Sequence, residues 1–441
     1  MHRSRQGSPY CSRLKISLLL IIALFNGVAL LAMNTSAAEV TPQLAFFRAD
    51  ELSNIKLQLL HGKAPQPTQQ AYQLLINAAD RALKQPDMSV TDKGITPPSG
   101  SKNDYLSLSA YWWPDTHKPD GLPWVRRDGK INPASKNEQS DGVRFASFTS
   151  KVQNLTLAWY FSGQQRYADK AASMLHRWFV DPKTKMNPNL NFAQGVPGIS
   201  AGRNSGVLDG RYFSTRIVDS LSLLRGNPAW SQKDDNAVRK WMQDYLDWLL
   251  SNPIALKESR ALNNHGNWYA TQVAGIAWYL HRAEIIDHMV ALTESKLETQ
   301  LKTDGSQPLE LARTRSFHYS YFNLQAVTLL AKLAAKNHQN LWNYKTANGS
   351  SIIRALDYLA PYADNRKMWP YKSLDKVGER LIPLMSWADN ALQQPRYRQE
   401  VMDTSFDLAA DEEDKNGKTR GAVIEALQET WLFSQPYETG R

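Results

Sequence analysis

Apolar residues recur at intervals of three and four along most of this chain, whereas the alternation of apolar and polar residues that is typical of strands is scarce. A stretch near the middle shows the helical spacing clearly, with an apolar face formed by Val238, Trp241, Met242, Tyr245, Trp248 and Leu249. Ser231 and Asp234 precede it with the spacing of a capping box, which predicts that the helix begins there.

The same spacing returns in further segments that are separated by short polar turns. Ser162-Gly163 divides two of them, and others cover residues 268–280, 286–297, 322–333 and 353–359. Helices joined by short turns form αα-hairpins, and several hairpins pack around a common core. The pattern therefore predicts an all-α fold. The type of element recurs along the chain, but the amino-acid sequence shows no internal repeat.

Two long segments, residues 86–143 and 181–208, lack the helical spacing. Long loops inside a compact domain are usually functional or disordered, and the Trp and Tyr residues in these loops argue against disorder. Aromatic rings beside Arg and Asn are suited to stacking against sugar rings on a rigid scaffold. Alternatively, Trp112, Trp113 and Trp124 plug one end of a helical core; both interpretations stay open here.

The first 38 residues have the pattern of a secretory signal peptide. A basic start is followed by the apolar run 16–33 and by the small residues Ser36-Ala37-Ala38. We therefore expect cleavage before Glu39, a single mature domain over residues 39–441, and a periplasmic or secreted protein without stable membrane association. Cys11, the one cysteine of the sequence, leaves with the signal, which excludes a disulfide framework and a thiolate nucleophile.

The net charge points to an acidic polymer as partner. The 441 residues carry a formal charge of +10, and loss of the four basic residues of the signal leaves +6. A basic exported protein attracts anionic polymers. No zinc-finger spacing, basic run or other nucleic-acid motif accompanies the charge, so we expect an anionic polysaccharide and no nucleic acid.

Candidate chemistry is concentrated in two stretches. The first is Asn263-Asn264-His265-Gly266-Asn267-Trp268-Tyr269, at the start of a predicted helix; the second runs from Asp304 to Tyr321. Together they offer a carboxamide, an imidazole, a guanidinium and a phenol. Taken one at a time, a capping Asn, a satisfied core His and an ordinary helical Tyr explain these residues; their combination favours a site.

These four groups suit β-elimination from a uronic acid unit of a polymer. The reaction requires neutralisation of the carboxylate, a base for the C5 proton and an acid for the leaving oxygen at C4, and donors aimed at developing charge are usually the largest catalytic contribution. Asn264 and His265 can donate to the carboxylate, while Tyr319 and His265 are the candidate proton carriers. A cation such as Arg313 or Arg315 is needed to make the phenolate accessible.

At these motifs the chain resembles the alginate lyase superfamily, and polysaccharide lyase family 38 more closely than family 5. The resemblance covers residues 100–390 and includes the Tyr111–Trp113 and Asn189–Gln194 segments. It implies an incomplete α/α toroid and elimination without a cofactor or metal. It also implies that the catalytic residues are Asn264, His265, Arg313 and Tyr319.

The arginine assignment depends on where the helix begins. On a continuous helix Arg315 shares a face with Tyr319, but Arg313 does not. Arg313 can therefore face the site if the helix begins after it, near Thr314 or Ser316, and Arg315 stays the alternative. The candidate substrate-binding residues are Tyr111, Trp112, Trp113, Trp124, Arg126, Asn191, Gln194, Arg211, Asn263, Trp268 and Arg315.

Two other functions compete with an exported lyase. An inverting glycosidase on a similar toroid would need two carboxylates about 6.5–9.5 Å apart, and Asp115, Asp141 and Glu310 form no obvious pair in the sequence. A periplasmic polysaccharide-binding or export-assisting protein would have the cleft without turnover.

Overall fold

A computed structural model describes His2 and residues 42–408 and 418–438 of the chain. The predicted signal peptide lies outside these residues, apart from His2, and stays a prediction. Residues Gln43–Arg441 form one compact unit, to which the following description applies.

The unit is an incomplete α/α toroid built of helix pairs, as expected from the sequence. None of the helices in the described part of the chain is long and apolar enough to cross a membrane. In chain order the α-helices are α1 (Ala49–Leu60), α2 (Gln66–Leu83), α3 (Asp141–Ser162), α4 (Gln165–Phe179), α5 (Val218–Leu224), α6 (Gln232–Ser251), α7 (Pro253–Ser259), α8 (Asn264–Tyr279), α9 (Ala283–Gln300), α10 (Pro308–Leu311), α11 (Ser316–Lys336), α12 (Ile352–Leu359), α13 (Leu381–Leu392), α14 (Arg398–Asp403) and α15 (Lys418–Trp431).

The predicted helix boundaries follow from local chemistry. The α3–α4 hairpin turns at Gly163, which adopts a φ of 71° that favours glycine. The Ser231 side chain accepts a hydrogen bond from the Asp234 amide and so caps α6, as the sequence predicted. α11 begins at Ser316, which satisfies the condition under which Arg313 can face the site.

Helix α8 lies at the centre, and nearly all of its residues are buried between α9 and α11. An amide network ties these three helices together near the start of α8. Asn267 donates to Gln300 and to Asn323, each at 2.7 Å, and Asn323 donates to Gln307 at 2.8 Å. Buried amides have to be paired, so this network fixes how α8 and α11 meet.

The segment Leu44–Phe47 is held at the opposite end of α11. The carboxylate of Asp219 accepts hydrogen bonds from the amides of Ala45, Phe46 and Phe47. Lys336 donates to the carbonyls of Leu44, Ala45 and Phe47 at 2.7–2.9 Å. The two charged side chains thereby pair backbone N–H and C=O groups of a segment that belongs to no helix or strand.

The two long loops predicted from the sequence are ordered by short pairings. β1 (Leu106–Leu108) pairs in parallel with β4 (Phe192–Gly195), and β2 (Trp112–Trp113) pairs antiparallel with β3 (Val125–Arg126). Six 3₁₀ segments and one π-helical segment complete the described elements. The 3₁₀ segments are Val90–Asp92, Pro133–Ser135, Asn204–Gly210, Leu341–Asn343, Ala360–Tyr362 and Gly378–Arg380, and the π-helical segment is Phe213–Ile217.

Candidate active site

The first turn of α8 presents Asn263, Asn264 and His265. The Asn263 side chain accepts a hydrogen bond from the His265 amide at 3.2 Å, so it caps the helix. This cap fixes the backbone of Asn264 and His265, and it occupies the Oδ1 atom of Asn263, which is one of the candidate substrate-binding residues.

His265 is oriented by a buried carboxylate. Its Nδ1 lies within hydrogen-bond distance of Oε1 of Glu258, a residue of α7 that is only 1% exposed. The other oxygen of Glu258 accepts a hydrogen bond of 2.7 Å from Asn204. Since a carboxylate is an acceptor, Nδ1 carries the proton, and the lone pair of a neutral imidazole then lies on Nε2. The side chain is 20% exposed, so Nε2 can serve as a base.

Asn264 is fully buried and binds Glu310. Its backbone amide donates to Oε1 of Glu310 at 2.7 Å, and its side-chain amide donates to Oε2 at 2.8 Å. The Oδ1 atom of Asn264 has no hydrogen-bond partner within the described residues. Burial raises the pKa of Glu310, whereas the bonds from Asn264 and the charges of Arg313 and His265 lower it. Glu310 therefore connects the start of α8 with the region of Arg313.

Arg313 and Tyr319 form the other half of the site. The guanidinium carbon of Arg313 lies 3.9 Å from the centre of the Tyr319 ring. Nη2 of Arg313 also donates to Asp128 at 3.0 Å, and Thr314 donates to the same carboxylate at 3.1 Å. Burial opposes ionisation of Asp128, but the hydrogen bond and charge of Arg313 outweigh it and lower the pKa of this carboxyl to about 2.

The Tyr319 hydroxyl lies 2.9 Å from the Tyr111 hydroxyl. Burial and the neighbouring Tyr111 raise the pKa of Tyr319, although Arg313 and Arg315 act in the opposite direction. Tyr319 is therefore protonated at neutral pH. Arg315, the alternative candidate for the catalytic arginine, forms a bidentate ion pair with Asp375.

The loop of residues 86–143, which carries Trp112, Trp113 and Trp124, reaches the site through Asp128. Trp112 and Trp113 are half-buried, and the guanidinium of Arg203 lies 5.4 Å from the Trp112 ring. Trp113 donates to the Lys130 carbonyl at 2.9 Å, and the backbone amide of Trp124 donates to Pro197. Arg126 is exposed and pairs with Asp128 at 2.9 Å. The loop therefore brings Asp128, and Arg126 bound to it, to Arg313.

The predicted binding residues Asn191 and Gln194 make contacts with the scaffold. Oδ1 of Asn191 accepts a hydrogen bond from Trp248 at 3.0 Å, and Nε2 of Gln194 donates to Asp209 at 2.8 Å. Gln194 also adopts a φ of 48°, which is uncommon for a residue other than glycine.

Arg211 and Trp268 line a cavity of about 260 Å³ together with His318. We name it the inner cavity; its wall also contains Phe322, Gln325 and Lys332. Nδ1 of His318 lies 3.0 Å from a guanidinium nitrogen of Arg380, and its ring contacts the Tyr319 ring edge-on, with 5.3 Å between the ring centres.

Two residues of this site were missed by the sequence analysis. Glu258 precedes His265 by seven residues, but the two residues belong to different helices, so no helical face related them. Asp128 precedes Arg313 by 185 residues. An isolated acid in a loop carries no signal of its distant partner.

No group of three His, Cys, Asp or Glu side chains in the described ranges is arranged to hold a metal ion. Elimination without a metal or cofactor stays a prediction.

Comparisons with known proteins show the family of this chain. The alginate lyase family model matches residues 89–369. No curated protein sequence matches the chain at a significant level.

The solved structure of an alginate lyase from Bacteroides ovatus is similar, with 33% identity and a TM-score of 0.77. The match covers 82% of this chain and 95% of that one. Alginate lyase A1-III from Sphingomonas species A1 shares the fold at 15% identity and a TM-score of 0.53, over 82% of this chain and 92% of that one. A variant of A1-III complexed with a tetrasaccharide has a TM-score of 0.52 at 16% identity, over 80% and 88% of the two chains. The chain belongs to the alginate lyase family and is a polysaccharide lyase.

Proposed function

We propose that this lyase cleaves a uronic-acid polymer, with alginate as the first candidate and glucuronan as the second, by β-elimination at a site formed by Asn264, His265, Arg313 and Tyr319. One observation carries the proposal: Glu258 orients His265 so that the lone pair lies on Nε2, and Arg313 stacks on Tyr319, whose pKa is raised by burial. The names of the similar structures support alginate as the substrate.

The proton transfers are assigned as follows. Nε2 of His265 takes the C5 proton, the electron pair of that C–H bond forms the C4–C5 double bond, and the C4–O bond breaks. The Tyr319 hydroxyl gives its proton to the leaving oxygen, so one chain ends in an unsaturated uronate and the other in a hydroxyl group. Because burial keeps Tyr319 protonated, it is suited to the role of acid at neutral pH.

The stereochemistry of the sugar decides which group is the base. In mannuronate the C5 hydrogen and O4 lie on the same face of the ring, whereas in its C5 epimer guluronate they lie on opposite faces. On a guluronate unit the two transfers need two groups, so we assign His265 as the base and Tyr319 as the acid. On a mannuronate unit Tyr319 can perform both transfers once it has lost its own proton, with the cation Arg313 stabilising the phenolate.

Neutralisation of the substrate carboxylate is assigned to Arg313 and Asn264. Arg313 is 19% exposed and carries a permanent charge. An amide group has two N–H donors, and one of those in Asn264 is occupied by Glu310. Since Asn264 is fully buried, a substrate reaches the second donor only after neighbouring side chains move.

The alternative functions have less support. The carboxylates of an inverting glycosidase need space for a water molecule between them. Glu258 and Glu310 are both buried and bound by neighbouring side chains, and Asp128 is held by Arg313. A binding protein without turnover has no need for a protonated phenol on which an arginine stacks.

An assay on several polymers tests the proposal. Mature protein is incubated with mannuronate-rich alginate, guluronate-rich alginate, glucuronan and glycosaminoglycans, while ultraviolet absorbance and reducing ends are followed together. Elimination raises both signals. Reducing ends without absorbance indicate hydrolysis, and tight binding without either signal indicates a binding protein; each of these results would refute the proposal.

Export is the remaining part of the proposal. The signal pattern of residues 1–38 supports it, and so does the accessibility of large polysaccharides outside the cytoplasm. Determination of the N-terminal residue of protein recovered from the periplasm or medium tests it, with Glu39 expected.

A further inference from the structure

The inner cavity lies next to the catalytic tyrosine but does not include it. One face of α11 forms a long part of its wall, from His318, beside Tyr319, to Lys332. These two residues are separated by 14 positions, or about 21 Å along a helix. Asn264, His265, Arg313 and Tyr319 are not among the lining residues. The volume of about 260 Å³ equals that of roughly nine water molecules, which suits a single sugar ring.

Three cations of this wall have no carboxylate within ion-pair distance in the described part of the chain. These are Arg211, Lys332 and Arg380. Arg211 donates to the Leu208 carbonyl at 3.0 Å and to the Tyr212 hydroxyl. The guanidinium of Arg380 lies 3.0 Å from Nδ1 of His318. Partly buried cations without counter-ions favour the binding of an anion.

The acids of the wall offset this charge only in part. Glu425 faces Arg216 at 3.6 Å and is half exposed. Burial raises the pKa of Glu429 to about 7, although Lys332 acts against this. Near neutral pH a substantial part of Glu429 is therefore uncharged. Burial also lowers the pKa of Lys332, so the positive charge of the wall rests on the guanidinium groups of Arg211 and Arg380, which stay charged.

The remaining wall is suited to a sugar ring. The side chains of Gln153 and Gln325 make no hydrogen bonds with other described residues, so each offers both a donor and an acceptor to hydroxyl groups. The rings of Trp268 and Phe322 lie 4.8 Å apart and form an aromatic surface beside Arg211. A small inorganic anion would not use the aromatic rings or the acceptor oxygens of the two amides.

We propose that the inner cavity binds one hexuronate unit, with its carboxylate towards Arg211 and Arg380 and its hydroxyl groups towards Gln153 and Gln325. The choice of a uronate as ligand rests on the proposed function. The hexuronate is either a free sugar acid or a unit of the bound polymer, since both present the same chemistry.

Direct binding tests this proposal without any need for turnover. The mature protein is titrated with sodium glucuronate and sodium mannuronate, and with glucose and mannose as neutral counterparts, by calorimetry and by tryptophan fluorescence. The variants are Arg211→Gln, Arg380→Gln and Gln325→Leu, each checked for its melting temperature. Arg239→Gln is the matched control, because Arg239 also donates to a backbone carbonyl and stacks on a tyrosine but does not line the cavity.

We expect uronates to bind and the neutral sugars to bind far more weakly. Each arginine variant should weaken uronate binding roughly ten- to a hundredfold, as loss of a charge-assisted hydrogen bond does. Gln325→Leu should weaken it less, and Arg239→Gln should not change it. Two independent arginine variants keep the test valid if one of them fails to fold.

Inhibition of polymer cleavage by the free uronate shows whether the cavity binds a free sugar acid or a unit of the bound polymer. A raised KM with unchanged kcat identifies the cavity as part of the polymer path, whereas a lowered kcat with unchanged KM identifies a separate site for free sugar acid. Absence of uronate binding to folded wild-type protein, or equal binding by wild type and both arginine variants, overturns the proposal. Uronate binding without any elimination would instead refute the proposed lyase substrate and leave the cavity site standing.

Discussion

The hydroxyl groups of Tyr111 and Tyr319 lie 2.9 Å apart, although 208 positions separate the two residues in the sequence. One hydroxyl must donate to the other, so Tyr111 fixes the direction of the Tyr319 hydroxyl. Arg313 covers the face of the Tyr319 ring. This arrangement holds a protonated phenol in one orientation, as an acid for a leaving oxygen requires.

Tyr319→Phe should remove nearly all elimination while the protein stays folded. The substitution keeps the ring and its contact with Arg313 but removes the proton. Positioned acid–base groups contribute typically 10²–10⁴-fold, so we expect kcat to fall by about this factor. Steady-state absorbance kinetics and a thermal melt measure the two effects.

Tyr279→Phe is the matched control for this prediction. Tyr279 is a buried tyrosine at the last residue of α8, whereas His265 is in the first turn. Loss of its hydroxyl should leave kcat unchanged. If Tyr319→Phe retained more than half of the wild-type kcat, the assignment of the acid would be wrong.

Glu258→Gln should lower kcat with little effect on KM. A glutamine offers one acceptor where the carboxylate accepts from both Asn204 and His265, so the imidazole loses its fixed tautomer. Loss of a carboxylate that orients a catalytic histidine is costly, and we expect a decrease of about 10²-fold or more. Glu258→Asp should restore part of the activity. A purely structural role predicts a lower melting temperature with normal kcat for the protein that stays folded.

Asn264→Ala should lower kcat by about two to three orders of magnitude, similar to the loss of one preorganised donor to a developing oxyanion. It should also destabilise the fold by about 1–3 kcal/mol, because Glu310 loses a buried partner. Asn267→Ala separates the two effects. Asn267 is one turn further along α8 and equally buried, but its amide serves the Gln300 and Asn323 network. Similar turnover in the two variants would remove Asn264 from the mechanism.

Sequence reasoning predicted most of the helices because each has an apolar face that can be read locally. The spacing of Trp241, Tyr245 and Trp248 indicated α6, and the turn at Gly163 separated α3 from α4. The start of α11 was needed to place Arg313, and it could be limited to two candidate residues, one of which is correct. These inferences depend on neighbours within about one turn of helix.

The partners of the candidate catalytic residues could not be predicted in the same way. Asp128 meets Arg313 because a long loop folds over the end of the toroid, and Glu258 meets His265 because α7 packs against α8. Periodicity indicates which side of a helix is buried, but not which side chain of another helix it will face. For the same reason the charges of the inner cavity, such as Lys332 and Glu429, could not be assigned to one another.

Glu429→Gln should stabilise the protein at alkaline pH and leave it unchanged in acid. Burial raises the pKa of Glu429 to about 7 from an ordinary value of 4.5, so the folded protein holds a proton that the unfolded chain has already released. Between these two values the folded state binds more protons than the unfolded state. This group therefore makes the free energy of unfolding decrease as the pH rises from about 4.5 to about 7.

Glutamine resembles the protonated side chain at every pH. The variant and the wild type should be equally stable near pH 4, and the variant should become more stable by about 1–3 kcal/mol at pH 8. Urea unfolding at both pH values measures the difference, with Glu284→Gln as an exposed control. If the variant were less stable than the wild type at pH 8, the longer-range charge attraction between Glu429 and Lys332 would outweigh the burial of Glu429, and the positive character of the inner cavity would have to be reassessed.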